Sequence, residues 1–295
     1  MVLNEEIERI FQDTPILAEI PRSRWRVTPL GGLTNQSYRL RALDRDLVLR
    51  WPGPAASRYV DRRAELINIR KLAALDLAPA LLAADPKSGW YITRFETGAH
   101  ALTGSDFSDP QVLCEVIALL TRLHRSDIRF PFQQGLFTAM DLYIALAPTE
   151  RMLDLRPRLK PVETALQRNR MPLVPCHIDP SPANFLRQED GKLLLIDWEF
   201  AAMEEPLWDL AAVALESNLE DASLHGMIEP LIGRDQLPRF ELYKTALNLV
   251  AASWYEAEIQ AGNDAAALSA LRDAAIARLE QRLADPRHRA WLESA

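Results

Sequence analysis

The chain has 295 residues, 48% of them apolar, and a formal net charge of −7. That apolar content excludes a disordered chain and allows one large domain or two smaller ones. The acidic balance argues against a nucleic-acid partner, and no apolar run is long enough to span a membrane. Because the chain has only two cysteines and no signal-peptide pattern, we expect a cytoplasmic protein.

Charge is divided unevenly along the chain. Residues 1–98 carry a net charge of +3, and the remainder carries −10. A basic first part suits a polyanion such as ATP, and an acidic second part suits a cationic co-substrate.

The first third of the chain predicts a β-rich lobe. The N-terminal segment has the spacing of an amphipathic helix, with Ile7, Ile10 and Phe11 on one face. Strands are predicted at 25–29, 37–42, 46–51, 79–84 and 89–95, and a helix at 60–75. Residues 96–98 break regular structure and form the candidate hinge. We therefore expect an N-terminal nucleotide-binding lobe at 1–97 and a catalytic, substrate-binding lobe at 98–295.

Two charged residues of the first lobe are expected to pair. Alternation along the strand 46–51 points Arg50 away from its apolar face, where a cation could reach nucleotide phosphates. Glu65 lies on the apolar stripe of the helix 60–75, so its carboxylate needs a cation. We favour Arg50 as that cation over a surface pair between Arg62 and Glu65.

A glycine-containing turn, LGGLTN at 30–35, joins the first two predicted strands. Backbone N–H groups at Gly32, together with the side chains of Thr34, Asn35 and Ser37, could bind phosphates there. The turn matches neither a Walker A loop nor the full G-x-G-x-x-G pattern, so by itself it is a weak signal.

The second lobe is predicted to be mainly helical. Asp109 followed by Pro110 marks a helix start, an N-cap with proline at the first helical position. Further helices are predicted from 205 to about 217, at 236–262 and at 264–285. The whole pattern predicts an α+β protein with a small β-rich lobe and a larger α-helical lobe.

The segment from 174 to 210 carries the catalytic prediction. His177, Asp179 and Asn184 form an H-x-D-x-x-x-x-N loop, and after a short hairpin Asp197 ends the apolar run 193–196. Phosphoryl transfer from a Mg-nucleotide needs a group that accepts the hydroxyl proton and two oxygen ligands for Mg²⁺. We therefore predict Asp179 as the base and Asn184 and Asp197 as the metal ligands.

Three neighbouring residues have supporting predictions. His177 is expected to fix the loop through hydrogen bonds of its ring, and Asp209, in an apolar helix, is expected to accept hydrogen bonds from the loop backbone. Glu199 lies two residues beyond Asp197 and could reach a second metal or a cationic substrate. A surface position without function is an equally good interpretation of Glu199.

These motifs together resemble the choline/ethanolamine kinase family, within the aminoglycoside-phosphotransferase-like kinases. The matching pieces are 31–38, 47–50, Glu65, 177–184, 197–199 and 208–210. The resemblance implies a bilobal protein-kinase-like fold that binds ATP and Mg²⁺ and acts on a small-molecule substrate, as a monomer or a homodimer. It also implies that the adenine lies against 93–96, including Thr93 and Phe95, and that Arg50 stands where protein kinases carry lysine.

The acceptor is the open part of the prediction. The resemblance to choline kinases implies a cation–π site, in which aromatic residues of a late helix hold the quaternary ammonium. Here that region offers Trp254 and Tyr255, followed by Glu256, which could hold a primary ammonium. Trp254 packing in the core is the alternative. Choline or a related amino alcohol is therefore the leading acceptor, and thiamine and an aminoglycoside are alternatives.

Two functions of another class remain open. A metal-dependent phosphohydrolase would use His177, Asp179 and Asp197, but it gives Arg50 and Glu65 no role. A non-catalytic nucleotide sensor would have no need of a base. A protein kinase is disfavoured because the chain lacks the Asp-Phe-Gly and Ala-Pro-Glu segments.

Overall fold

The computed structural model describes residues 5–31, 35–53, 59–133 and 135–295. They form two compact units, the first from Met1–His100 with Leu186–Glu199 and the second from Ala101–Phe185 with Phe200–Ala295. The sequence assigned 186–199 to the second lobe, whereas the structure groups this segment with the first. The reason is tertiary, since the backbone N–H of Leu195 donates to the carbonyl of Leu77 at 2.8 Å.

The helices and strands of the described residues follow in chain order. They are α1 (Glu5–Asp13), α2 (Pro15–Ala18), β1 (Arg26–Gly31), β2 (Asn35–Ala42), β3 (Arg45–Pro52), α3 (Arg62–Ala73), β4 (Leu81–Ala84), β5 (Tyr91–Arg94), β6 (His100–Ala101), α4 (Gly104–Phe107), α5 (Pro110–His124), α6 (Leu136–Leu146), α7 (Glu150–Arg158), α8 (Lys160–Leu166), β7 (Val174–Cys176), β8 (Phe185–Arg187), β9 (Leu193–Leu195), β10 (Ala202–Glu204), α9 (Leu207–Glu216), α10 (Asp221–Ile232), α11 (Leu237–Gln260), α12 (Ala265–Ala284) and α13 (His288–Ser294).

The first unit is built on an antiparallel sheet with the strand order β1-β2-β3-β5-β4. All five predicted strands are present. In the register of the sheet, Arg50 on β3 lies opposite Ser37 on β2 and Tyr91 on β5. The β-rich lobe of the predicted α+β fold is therefore confirmed.

Strand alternation separates the core of this sheet from its functional face. Leu47 and Leu49 are buried in an apolar core that also contains Ile7, Ile10 and Phe11 of α1. Arg50 belongs to the opposite face, so its burial has to be offset by ion pairs rather than by apolar contacts.

The predicted hinge does interrupt regular structure between β5 and β6. Gly98 has φ of 77°, a conformation in which glycine is favoured. A Cβ atom at this position would meet only the exposed side chain of Glu189, which can move aside, so the backbone conformation rather than space favours glycine here.

The second unit is mainly helical, as predicted. The Asp109 side chain accepts a hydrogen bond from the N–H of Gln111 and caps α5, with Pro110 at the first helical position. The two long predicted helices correspond to α11 and α12, and the short strands β7 and β10 pair antiparallel beside them. Among the described residues, none of the helices has the length and apolar character needed to cross a membrane.

Candidate active site

The loop after β7 is held in a conformation that its sequence does not favour. Ile178 has φ of 75°, and this left-handed region is costly for a β-branched residue. Two hydrogen bonds offset that cost, because the Asp209 carboxylate accepts from the backbone N–H of His177 at 2.9 Å and of Ile178 at 2.8 Å. Asp209 is completely buried in the first turn of α9. The contact expected for Asp209 is therefore present.

Two further residues hold the same loop and were not predicted. His124, in the last turn of α5, lies with its Nε2 2.8 Å from the Asp209 carboxylate. Trp208 donates from its indole N–H to the carbonyl of Ile178 at 2.9 Å. Trp208 precedes Asp209 in sequence and could have been noticed there, whereas His124 is 85 residues away and gives no local signal. His177 itself is fully buried.

The predicted base and one predicted metal ligand lie side by side in the second unit. Asn184 donates from its amide nitrogen to the Asp179 carboxylate at 3.0 Å and to the Asp179 carbonyl at 2.9 Å. The amide oxygen of Asn184 therefore faces away from these contacts and is the atom suited to a hard cation. Asp179 is exposed, whereas Asn184 is buried.

Asp197, the other predicted ligand, follows β9 in the first unit, also with a left-handed φ of 65°. One of its carboxylate oxygens accepts a hydrogen bond from Arg50 at 2.6 Å. The Arg50 guanidinium also forms an ion pair with Glu65 and donates to the Tyr91 hydroxyl at 2.8 Å. The expected Arg50–Glu65 contact is present.

A second arginine extends this group. Arg62 pairs with Glu65 at 2.9 Å and with Glu199 at 2.8 Å, and it donates to the amide oxygen of Asn35 at 3.0 Å. The alternative Arg62–Glu65 pair therefore coexists with the favoured one. Asn35 donates in turn to Glu199 at 3.0 Å. Below, the arginine cluster means six residues: Asn35, Arg50, Arg62, Glu65, Asp197 and Glu199.

Charges within the arginine cluster alter its acid–base behaviour. Burial raises the pKa of Asp197 to about 7, although Arg50 opposes the shift. Burial would also raise the pKa of Glu199, but Arg50 and Arg62 lower it below its usual value. Glu199 thus belongs to an ion-pair network, and the second-metal or substrate role considered for it stays a prediction.

The other predicted nucleotide contacts divide into three groups. Gly32 and Thr34 lie outside the described residues. Ser37 is half-buried on β2 opposite Arg50, and Thr93 is buried on β5. The guanidinium carbon of Arg39 lies over the Phe95 ring, 3.7 Å from the centroid of that ring. Their proposed role in nucleotide binding stays a prediction.

A cavity of about 170 Å³ opens in the second unit beside Asp179. Helices α9 and α11 supply much of its wall. The lining residues of α9 lie at i, i+4, i+7 and i+8 from Trp208, and those of α11 lie at i, i+1, i+3, i+4, i+7 and i+8 from Leu247, so each helix turns one side to the cavity. Five aromatic residues line it: Tyr143, Phe200, Trp208, Trp254 and Tyr255. Its charged lining residues are Asp179, Glu216 and Arg278.

The predicted acceptor residues are only partly brought together. Trp254 and Tyr255 both line the cavity, and their rings meet edge to face with centroids 5.4 Å apart. Burial, reinforced by the charges of Glu216 and Asp179, raises the pKa of Tyr255 to about 12. Glu256 is not a lining residue, and its carboxylate pairs with Arg272 at 2.7 Å. Glu256 follows Trp254 by two residues, a step of about 200° around the helix that turns its side chain away from Trp254. Its expected contact with the acceptor stays a prediction.

Glu216 and Arg278 were missed by sequence reasoning. Glu216 lies two helical turns after Trp208, so the two side chains share one side of α9. The sequence shows this spacing, but it does not show that Trp208 lines a cavity. Arg278 comes from α12, and nothing local marks it.

Comparison with known proteins places this geometry in a family. The model of the phosphotransferase enzyme family matches residues 26–243. The chain belongs to that family. This phosphotransferase is 28% identical over 206 residues to protein LicA of Haemophilus influenzae, covering 68% of this chain and 60% of that protein, so the match spans less than two thirds of the relative. It is 26% identical over 236 residues to thiamine kinase of Escherichia coli, covering 76% of this chain and 80% of that enzyme.

Solved structures confirm the fold of the phosphotransferase. A choline/ethanolamine kinase family protein from Mesorhizobium loti superposes with a TM-score of 0.81 at 26% identity, covering 99% of both chains. Choline kinase LicA from Streptococcus pneumoniae gives 0.82 at 22% identity, covering 95% of this chain and 99% of that one. The resemblance to choline/ethanolamine kinases and the protein-kinase-like fold are thereby confirmed.

Proposed function

We propose that this phosphotransferase transfers the γ-phosphate of ATP to the hydroxyl of a small cationic metabolite, choline or a related amino alcohol. The observation that carries the proposal is the position of Asp179, a carboxylate on the wall of a cavity rich in aromatic side chains. A hydroxyl bound there would lie beside a proton acceptor, and a cation would lie against aromatic faces.

In the proposed reaction the acceptor oxygen attacks the γ-phosphorus while the bond from that phosphorus to the β–γ bridging oxygen breaks. ADP leaves, and the hydroxyl proton passes to the Asp179 carboxylate. Because the transition state is loose, Asp179 acts mainly by orienting the hydroxyl. The Asn184 amide, 3.0 Å from the Asp179 carboxylate, fixes the direction of that group.

The residues predicted to hold Mg²⁺ have the chemistry that this ion requires. Asn184 offers an amide oxygen, and Asp197 offers a carboxylate oxygen beyond the one that Arg50 contacts. When bound with the nucleotide, Mg²⁺ would neutralise charge on the phosphates. Arg50 would add a fixed positive charge for phosphate binding, held in place by Glu65 and Tyr91. Gly32, Thr34, Asn35, Ser37, Thr93 and Phe95 are proposed to complete the nucleotide site.

Cavity size favours a small acceptor over the alternatives. About 170 Å³ is below the roughly 300 Å³ at which pockets for drug-sized ligands begin. An aminoglycoside is therefore disfavoured. Thiamine remains the second candidate because the chain matches thiamine kinase over 236 residues.

The test is ADP release by purified protein with Mg-ATP and choline, ethanolamine, thiamine or an aminoglycoside. We expect saturable release with an amino alcohol, and a loss of roughly 10²- to 10⁴-fold in kcat for Asp179→Asn, because that variant can no longer accept the proton. Asp127→Asn is the matched control, since Asp127 is an exposed aspartate of the same unit that does not line the cavity.

Three results would contradict the proposal. Undiminished turnover in Asp179→Asn would show that Asp179 is not the base. Phosphate release that needs metal but no acceptor would favour a phosphohydrolase. ATP binding without turnover on any acceptor would favour a nucleotide sensor.

A further inference from the structure

We propose that the cavity beside Asp179 contains an anion subsite at Arg278, so that the acceptor is an amino alcohol that also bears a carboxylate. This inference rests on the proposed function and specifies its substrate class. It assigns a binding role to Arg278, which a purely cationic acceptor does not need.

Arg278 is held in a fixed direction at the cavity. Its Nε donates to the side-chain oxygen of Asn248 at 3.0 Å. Asn248 is 1% exposed, lines the same cavity and is itself fixed by donating to the Lys244 carbonyl at 2.7 Å. A buried amide therefore orients the guanidinium, which reduces the entropy lost when Arg278 binds a ligand.

The remaining donors of Arg278 are available to a ligand. Among the described residues, its two terminal nitrogens make no hydrogen bond and no ion pair within 4.0 Å. Glu216 is near enough that the charge of Arg278 opposes the rise that burial causes in the pKa of its carboxyl. Arg278 is an exposed residue that also lines the cavity, so it lies where the cavity meets solvent. Two parallel N–H groups of a guanidinium match the two oxygens of a carboxylate.

Trp254 does not add a donor to this subsite. Its indole nitrogen is buried and has no hydrogen-bond partner among the described residues, but it has no surface that a ligand in the cavity could reach. The free donors of Arg278 therefore carry the subsite, and the ligand group that complements them must be an acceptor of hydrogen bonds.

The cavity also has residues that suit the positive charge of a ligand ammonium. Glu216, Tyr143 and Tyr255 line the same cavity, and a carboxylate with aromatic rings suits an ammonium. Asp179 suits the hydroxyl. The lining therefore has separate groups for a hydroxyl, a cation and an anion, and a zwitterionic hydroxy-amine satisfies all three.

The test uses acceptor pairs that differ by a carboxylate-bearing group. Serine is ethanolamine with a carboxylate on the amine-bearing carbon, and carnitine is choline with a carboxymethyl group on the hydroxyl-bearing carbon. We expect kcat/KM to be roughly 10- to 100-fold higher for the carboxylated member of at least one pair. In Arg278→Gln that preference should fall to about one, because only the carboxylated member of each pair loses a contact.

Arg289→Gln is the matched control, because Arg289 is an exposed arginine on α13 outside the cavity, and it should keep the preference. Thermal unfolding of each variant reports whether the fold is retained. A preference that is absent in the parent, or that survives Arg278→Gln, overturns the inference.

Binding without ATP separates this inference from the proposed function. Calorimetry with serine and carnitine should show binding that Arg278→Gln weakens by the same factor, whatever the turnover. Such binding without turnover supports the anion subsite while contradicting the kinase proposal. Turnover of choline and ethanolamine without any carboxylate preference leaves the kinase proposal standing and overturns the anion subsite. Absence of binding by every acceptor overturns it too.

Discussion

At the scale of single residues, Arg50 shows why an arginine can replace a lysine in this position. Its guanidinium contacts Glu65, Asp197 and the Tyr91 hydroxyl at once. A lysine ammonium is a compact point charge and could not present flat, divergent donors to partners on several elements. The charges of Asp197 and Glu65 outweigh the cost of burial and raise the pKa of Arg50 further, so the cation is permanent.

Removing that cation should destabilise the protein strongly. Arg50→Met leaves the fully buried Glu65 with one cationic partner, Arg62, and removes the hydrogen bond to Asp197. Breaking a buried ion pair from one side costs about 3–5 kcal/mol. Urea unfolding should show a loss of about 3 kcal/mol or more. Arg41→Met, on the exposed side of β2, should change stability by no more than about 0.5 kcal/mol, and a similar small loss in Arg50→Met would refute the structural role.

At the scale of elements, β10 carries a carboxylate whose charge is poorly compensated. Glu205, just after the strand, pairs with buried Arg239 at 2.6 Å. Among the residues that the structure describes, the partners of Glu204 on the strand are Arg170 at 3.4 Å and the backbone N–H of Glu205 at 2.9 Å, and Tyr243 and Cys176 lie nearby. Burial raises the pKa of Glu204 from 4.5 to about 7.

Stability should therefore fall as pH rises. In the folded protein Glu204 keeps its proton up to about pH 7, whereas in the unfolded chain it loses it near 4.5. Between these values the folded state binds more protons, so raising the pH lowers the free energy of unfolding, by about 2–3 kcal/mol in total. Glu204→Gln should lack this loss and be more stable than the parent at pH 8 but not at pH 5.

Urea unfolding at both pH values checks the prediction. The exposed Glu150→Gln in the same unit should follow the parent at each pH. Equal stability of Glu204→Gln and the parent at pH 8 would show that Glu204 carries no uncompensated charge.

The helices and strands that could be predicted from sequence are those marked by a pattern among neighbouring residues. The strands β1 to β5, the capped helix α5 and the catalytic loop depend on alternation, an N-cap and motif spacing, which the sequence displays. Contacts that depend on register or packing were not predictable. Tyr91 meets Arg50 only through the pairing of β3 with β5, and His124 meets Asp209 across 85 residues. The same reasoning explains Glu256, where helical phase rather than residue type decides what faces the cavity.

At the scale of the whole molecule, the predicted chemistry is divided between two units that each bring together their own set of residues. The arginine cluster belongs entirely to the first unit, and the cavity with Asp179 belongs entirely to the second. The net charges of +3 for residues 1–98 and −10 for the remainder follow a similar division. Binding of the two proposed substrates should therefore be separable by mutation.

Initial rates with both substrates varied would test that separation. Trp254→Leu removes one aromatic face and should raise KM for the acceptor by about 2- to 30-fold, with KM for ATP unchanged. Arg62→Lys keeps the charge but loses its several directed contacts, and it should raise KM for ATP alone. Equal changes in both KM values for either variant would contradict the assignment of ATP binding and acceptor binding to separate sets of residues.

The three charged side chains on the cavity wall have a stereochemical consequence. Asp179, Glu216 and Arg278 are two carboxylates and a guanidinium at three separate positions in the second unit, the loop after β7, α9 and α12. A ligand that engages all three is held at three non-equivalent points, so its mirror image can satisfy only two of them. A chiral acceptor would thus be phosphorylated in one handedness, and a racemic supply would be resolved into a phosphate ester of one enantiomer and the untouched alcohol of the other.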